Sequence, residues 1–388
     1  MVRPYPFGQA FVTTPKAAIL VNHLRGAGHL SRALTLAKAF VATGVETHVI
    51  SGGFPVPQFD STGIRLHQMP PLRSDGADFS TLLQMDGTPV DPSYHAQRAT
   101  FAIDRLTQIQ PQILLVELFP FGRRNLKSEY LDILNAVQAW PIRPFMACSI
   151  RDILSQPSKA SKVSFAEDIL NRHFDSIFVH SDPTIIPLEH TWPVSPEIQA
   201  KLSYTGFVAP PLRAPSTDDG RGEIVVSTGS GAFGDQIFEA ALDLASRTPH
   251  IWRFLVGGPD PNRAHLLARR APPNVFVDTA RPDYRDLLQN AAASVSLCGY
   301  NTTMDLLQTG VPAVIMPDDE GSETEQRLRS DALIARPQFA RVLSKDMKAD
   351  TLNDALHQVM SQTYAPQSNI LFNGAAESVA LCLAASKA

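Results

Sequence analysis

Two histidines and a glutamate stand where short apolar runs of this sequence stop. His23 follows the apolar run 17–21, and His29 closes the segment Arg25-Gly26-Ala27-Gly28-His29. Glu117 ends the apolar run 113–116. An imidazole titrates near neutral pH and can take a proton from a hydroxyl. A carboxylate at the end of an apolar strand is not ordinary surface charge. Glu117 can act as a base itself or orient a histidine, as acids do in triads. His29, Glu117 and His23 are therefore the three candidate bases. A salt bridge from Glu117 to Arg151 or Arg123 is compatible with either role.

Further chemistry resides in two glycine turns of the second half. Gly229-Ser230-Gly231-Ala232-Phe233-Gly234 follows an apolar run and opens a helical pattern. It matches GxGxxG, the dinucleotide fingerprint, but Asp260 comes too late for the acidic residue that fingerprint needs. A phosphate cradle built on Gly229, Ser230, Gly231 and backbone amides is the favoured reading, with an NAD enzyme as the alternative. The stretch 298–305, Cys-Gly-Tyr-Asn-Thr-Thr-Met-Asp, also leads from an apolar run into a helix. Gly299, Tyr300, Asn301 and Thr302 at a helix start can hold a diphosphate, because free amides and the helix dipole favour negative charge. Asp305, one turn further in, can accept hydrogen bonds from ribose hydroxyls. The acidic loop 318–326 ends in Glu325-Gln326, suited to sugar hydroxyls. Arg123, Arg124 and Lys127 begin a first-half helix. They read either as a solvated face or, with Arg151, as a contact for an anionic acceptor such as a lipid-linked phosphate.

These residues need a scaffold that brings strand ends together. Short apolar runs alternate with amphipathic ones of helical period throughout, and the fully apolar run 17–21 argues for a parallel sheet buried on both faces. The segment 70–92 reads as a long loop. The segment 209–222, APPLRAPSTDDGRG, carries no strand or helix pattern and separates two α/β halves. The expected organisation is a Rossmann-like domain over 1–208, a linker over 209–222, a second Rossmann-like domain over 223–370, and a helix within 371–388 packing back on the first. Open parallel sheets bind ligands beyond their strand carboxyl ends, so the two domains should face a shared cleft.

Composition narrows the function classes. With 34 Lys plus Arg against 38 Asp plus Glu, the net charge of −4 lacks the basic excess of a general nucleic-acid binder. At 44% hydrophobic residues the chain is not a disordered one. Cys148, Cys298 and Cys382 are widely spaced and read as free thiols. The first sixteen residues hold three prolines and no apolar stretch of signal-peptide length, and no run is long enough to span a membrane. The expectation is a cytoplasmic protein, with peripheral contact at the inner membrane face through the basic cluster.

The motifs resemble those of GT-B fold glycosyltransferases, especially the MurG-like family that uses UDP-sugars. The family's glycine-rich first turn ending in His is similar to 26–29, and its second-domain glycine/serine turn to 229–231. Its Ser/Cys-Gly-x-x-Thr-x-x-Glu segment for diphosphate and ribose is similar to Cys298, Gly299, Thr302 and Asp305. Plant-type UDP-sugar transferases carry a Cys-Gly-Trp-Asn-Ser-Thr stretch close to 298–303. The segments 117–124 and 149–154 also resemble a branch of predicted bacterial glycosyltransferases. The resemblance implies sugar transfer from a nucleoside-diphosphate donor, UDP-linked by expectation, to an acceptor hydroxyl, with no cofactor beyond that co-substrate. The acceptor class stays open among a lipid-linked molecule, a glycan and a small molecule. No two aspartates are separated by one residue, which fits metal-independent transfer. Asp305 stands where the family has Glu, and Glu325 where MurG-like enzymes have Gln. Alternatives are a GT-B nucleotide-sugar epimerase or hydrolase, and a non-catalytic nucleotide-sugar-binding protein.

Overall fold

The computed structural model describes residues 14–24, 27–74, 81–229, 233–258, 260, 262–319, 324–361 and 370–386. The first domain holds β1 (Lys16–Val21), β2 (Glu46–Ser51), β3 (Arg65–Gln68), β4 (Arg73–Ser74), β5 (Leu82–Leu83), β6 (Ile113–Glu117), β7 (Phe145–Arg151), β8 (Ser176–His180) and β9 (Leu202–Tyr204). Seven of these form one parallel sheet, ordered β3-β2-β1-β6-β7-β8-β9. Its central strands β1 and β6 are apolar almost throughout because helices cover both faces. The strands β4 and β5 pair antiparallel inside the segment 70–92, so that stretch is not simply a loop. Leu72 and Leu82 anchor it in the core.

The second domain repeats the plan with β10 (Ile224–Ser227), β11 (Trp252–Val256), β12 (Val275–Thr279), β13 (Ala293–Leu297), β14 (Ala313–Met316) and β15 (Phe339–Arg341). These six are parallel in the order β12-β11-β10-β13-β14-β15. Residues 209–222 form neither strand nor helix. The last helix, Gly374–Ala385, returns to the first domain, where Val379 and Cys382 pack into the core beside the helix Gly28–Ala42. Gly374 is required there, since a Cβ would lie 2.2 Å from the Gly206 carbonyl oxygen. No helix of the described residues is long and apolar enough to cross a membrane.

Both sheets reverse strand order beside their first strand, between β1 and β6 and between β10 and β13. A crevice opens at such a point because the flanking connections leave on opposite faces. The helix that follows the turn after β1 carries His29 in its first turn, and β6 ends in Glu117. The turns after β10 and β13 carry Gly229 and Gly299. The fold thus sets the chain's candidate chemistry at two facing crevices.

Candidate active site

The helix Gly28–Ala42 starts in the first crevice, and His29 is its second residue. His29 Nδ1 lies 2.8 Å from Glu117 Oε1. Glu117 is 1% exposed, and the chain turns directly after it through Leu118 at φ 67°. Arg32, one helical turn beyond His29, donates through Nη2 to the same Glu117 oxygen. Burial alone would raise the Glu117 pKa, but the Arg32 and Arg123 cations and the hydrogen bond from His29 reverse that and hold the carboxyl ionised. An ionised carboxylate only accepts, so the imidazole proton facing it sits on Nδ1. Burial dominates at His29 and brings its pKa down to about 4, against the pull of Glu117. A neutral ring with its proton on Nδ1 presents an unprotonated Nε2, the form a general base requires.

His29 and Arg32 line an interdomain cavity of about 460 Å³, with Gly28 and Arg151 on the same wall. The opposite wall holds Thr228, Gly229, Gly299, Asn301, Thr302, Asp318 and Gln326. Gly28 faces Asn301 across the gap, where a Cβ on the glycine would lie 3.9 Å from the amide nitrogen. The helix Tyr300–Thr309 starts at this wall with no side-chain cap, which leaves its first-turn amides for an anion.

A second cavity of about 510 Å³ lies within the second domain and shares Gly229, Asn301 and Thr302 with the first. Its outer part is lined by Gly257, Thr279, Ala280, Arg281, Tyr284 and Asp305. Asp305 approaches Arg285 Nε at 3.2 Å, but burial outweighs that cation and raises its pKa to about 6. The two cavities adjoin at Gly229, Asn301 and Thr302, beside the start of the helix Tyr300–Thr309.

Several sequence expectations need correction. His23 is 5% exposed, its Nε2 lies 2.9 Å from the Phe54 carbonyl, and it does not line the cleft. Glu117 pairs with His29 and Arg32 rather than with Arg151 or Arg123. Arg123 Nε donates to the Asn22 carbonyl at 2.7 Å, and Arg124 Nη1 to the Phe121 carbonyl at 2.7 Å. Lys127 Nζ rests 4.7 Å from the Phe165 ring centre. Each of the three thus has its own partner within the chain. Arg151 binds Glu325 across the domains, and Arg329 takes the other Glu325 oxygen at 2.8 Å. Both groups are engaged in holding the domains together, so Glu325 is not free for sugar hydroxyls. Gln326 does line the cleft, accepting the Asp318 amide at 3.1 Å. Tyr300 is 7% exposed and lies between domains, its hydroxyl donating to the His180 carbonyl at 3.3 Å. Burial lifts its pKa to about 12. Arg25, Gly26, Ser230, Gly231 and the loop residues 320–323 lie outside the described residues.

Arg32 and the pair Asp152–Arg329 escaped the sequence reading. Arg32 carried a usable signal, since position i+3 from His29 shares its helix face. Arg329 meets Asp152 through two hydrogen bonds of 2.8 and 2.9 Å with both side chains 2% exposed. These two residues are 177 positions apart, and only docking of the domains joins them.

No family model matches the chain. It is similar to a Methanosarcina mazei protein named an uncharacterized glycosyltransferase, at 23% identity covering 86% of this chain and 87% of the relative. A Methanosarcina acetivorans protein of the same name is 20% identical, with the same shares covered. These relatives are archaeal, whereas the motifs resemble a bacterial branch. Among solved structures the chain is similar to Acinetobacter baumannii MurG, with a TM-score of 0.62 and 13% identity over 95% of this chain and 100% of that one. The glycosyltransferase SnogD from Streptomyces nogalater gives 0.57 and 17%, covering 96% and 100%. Phytolacca americana UGT2, solved with UDP-2-fluoro-glucose and pterostilbene, gives 0.57 and 14%, covering 96% and 94%. The chain has the GT-B fold, two facing Rossmann-like parallel-sheet domains.

Proposed function

We propose that the chain is a glycosyltransferase that moves a sugar from a nucleoside-diphosphate donor, UDP-linked in the favoured reading, to an acceptor hydroxyl. The observation that carries this is the His29–Glu117 pair, 2.8 Å apart, facing an uncapped helix start across one cavity. In this reading the nucleoside occupies the second-domain recess, with Asp305 toward the ribose. The diphosphate lies at Gly299–Thr302, where amides and the helix dipole stabilise the departing charge. His29 Nε2 removes the acceptor hydroxyl proton as that oxygen attacks the anomeric carbon and the diphosphate leaves. Glu117 fixes the ring and stabilises the imidazolium that forms. No metal is assigned a step. The acceptor enters from the first domain.

Thermal denaturation against a panel of nucleoside diphosphates and their sugars tests the donor class. A ligand that binds only the folded chain raises its melting temperature. Stabilisation by a uridine diphosphate supports the reading, and stabilisation by none of the panel overturns it. Incubating the stabilising sugar nucleotide alone separates a transferase from an epimerase or hydrolase, because only the latter two turn over fully without an acceptor.

A further inference from the structure

Arg32 is held in an unusual way. Its Nη2 meets Glu117, while its buried Nε has no hydrogen-bond partner among the described residues. The same Nη2 lies 3.3 Å from His29 Nδ1, and the guanidinium carbon lies 5.8 Å from the centre of the Tyr300 ring, which belongs to the other domain. The Arg329 guanidinium lies 5.7 Å from the same ring. Arg329 is itself immobilised by Asp152, by Glu325 and by the Cys298 carbonyl at 3.0 Å. The Tyr300 hydroxyl is tied to His180 of the first domain. Tyr300 is also the first residue of the helix whose next two residues, Asn301 and Thr302, line both cavities.

We propose that Tyr300 is a positioning residue for the base: its ring holds Arg32 against Glu117 and so keeps His29 oriented only while the two domains are docked. This rests on the reading of His29 as the base. A cation over an aromatic face is attracted by the ring quadrupole, and in a buried site that attraction restricts where the guanidinium can go. With the ring shaved away, Arg32 is free to turn into the cavity. Glu117 then loses its closest permanent cation, and its field draws a proton onto His29. Other charges facing His29 are Arg123 and Arg151 from the first domain and Glu325 from the second, and none of them touches the Glu117 carboxylate. The helix that binds the donor diphosphate thereby also sets the base, without contacting it.

The test reads His29 directly and needs no acceptor. Histidine Cε1 NMR titrations are recorded for the wild type, Tyr300→Phe and Tyr300→Leu, with the His29 signal assigned by its loss in His29→Gln. The expected result is a Tyr300→Leu midpoint raised by about one pH unit, a roughly tenfold gain in proton affinity. Tyr300→Phe keeps the ring and should restore most of the wild-type curve. An unmoved His29 midpoint in Tyr300→Leu overturns the proposal. If that variant does not fold, Arg32→Gln, which removes the cation from Glu117, should move the midpoint in the same direction, and an unmoved curve there overturns it equally. Titrating UDP into the same samples separates the two failures. If UDP binding weakens in Tyr300→Leu while His29 stays put, Tyr300 is a donor contact and the inference fails with the donor reading intact. If UDP does not bind the wild type, the uridine donor fails, and the His29 curve still decides the positioning claim.

Discussion

The two walls of the cleft are built on opposite plans. The first-domain wall is crowded with polar and charged groups: His29 and Arg32 share one Glu117 carboxylate oxygen, and Arg123 stands close behind. The second-domain wall between the cavities is glycine, amide and hydroxyl, with Gly229 at φ 68° and no heavy atom within 4 Å of where a Cβ would sit on Gly299. A wall that moves a proton must fix ionisation states before substrate arrives. A wall that binds a diphosphate must instead leave room and unpaired donors. The comparison predicts that damage to the first wall appears in kcat and damage to the second in affinity.

The largest expected effect belongs to His29→Ala, which should lower kcat about a thousandfold while leaving the donor KM within a few-fold. Steady-state kinetics with an acceptor found by product mass spectrometry would measure it. A large rise in donor KM at unchanged kcat would break the division between walls. Glu117→Gln should cost about a hundredfold in kcat, because an amide no longer enforces the Nδ1–H form of the ring.

Next comes the bridge between domains. Asp152→Ala leaves Arg329 buried with only part of its partners, a change that costs about 3 kcal/mol in comparable buried pairs. Urea denaturation should show the loss, and an unchanged midpoint would mean that the domains dock without this pair. Asp305→Asn should weaken nucleoside-diphosphate binding about tenfold, through loss of hydrogen bonds to a charged acceptor. Wild-type affinity should likewise fall as pH drops through about 6, where Asp305 takes up its proton. The stability sign is opposite. A carboxyl whose pKa is raised by folding stabilises the folded chain at low pH, and that contribution is lost as pH rises through about 6. Asp305→Asn should therefore melt slightly higher than the wild type near neutral pH in the absence of nucleotide. The smallest effect is expected for Lys127→Ala, within about 0.5 kcal/mol, since Lys127 is exposed and its side chain rests on the Phe165 ring.

The elements were readable because strands buried on both faces leave continuous apolar runs. The run 17–21 lies in Lys16–Val21, and the helix Gly28–Ala42 follows it as one of the runs of helical period. Glycines at strand ends marked the crevice turns after β1, β10 and β13 for the same local reason. The site was readable one wall at a time. His29 and Glu117 stood out as separate candidates, but their pairing depends on β1 and β6 being neighbours, which no local pattern encodes. Glu325 and Arg151 were misjudged because each looks like a free polar group until the other domain supplies its counter-ion. The pair β4–β5 was missed because two-residue strands have no period to detect.

The central claim is that donor affinity resides in the second domain and proton transfer in the first. Calorimetric titration of a nucleoside-diphosphate panel into the wild type, Glu117→Gln and Asp305→Asn tests it most directly. The account predicts that one diphosphate binds the wild type, binds Glu117→Gln with a Kd within about threefold, and binds Asp305→Asn about tenfold more weakly. Binding of no nucleotide by the folded wild type, or equal losses in the two variants, would contradict it.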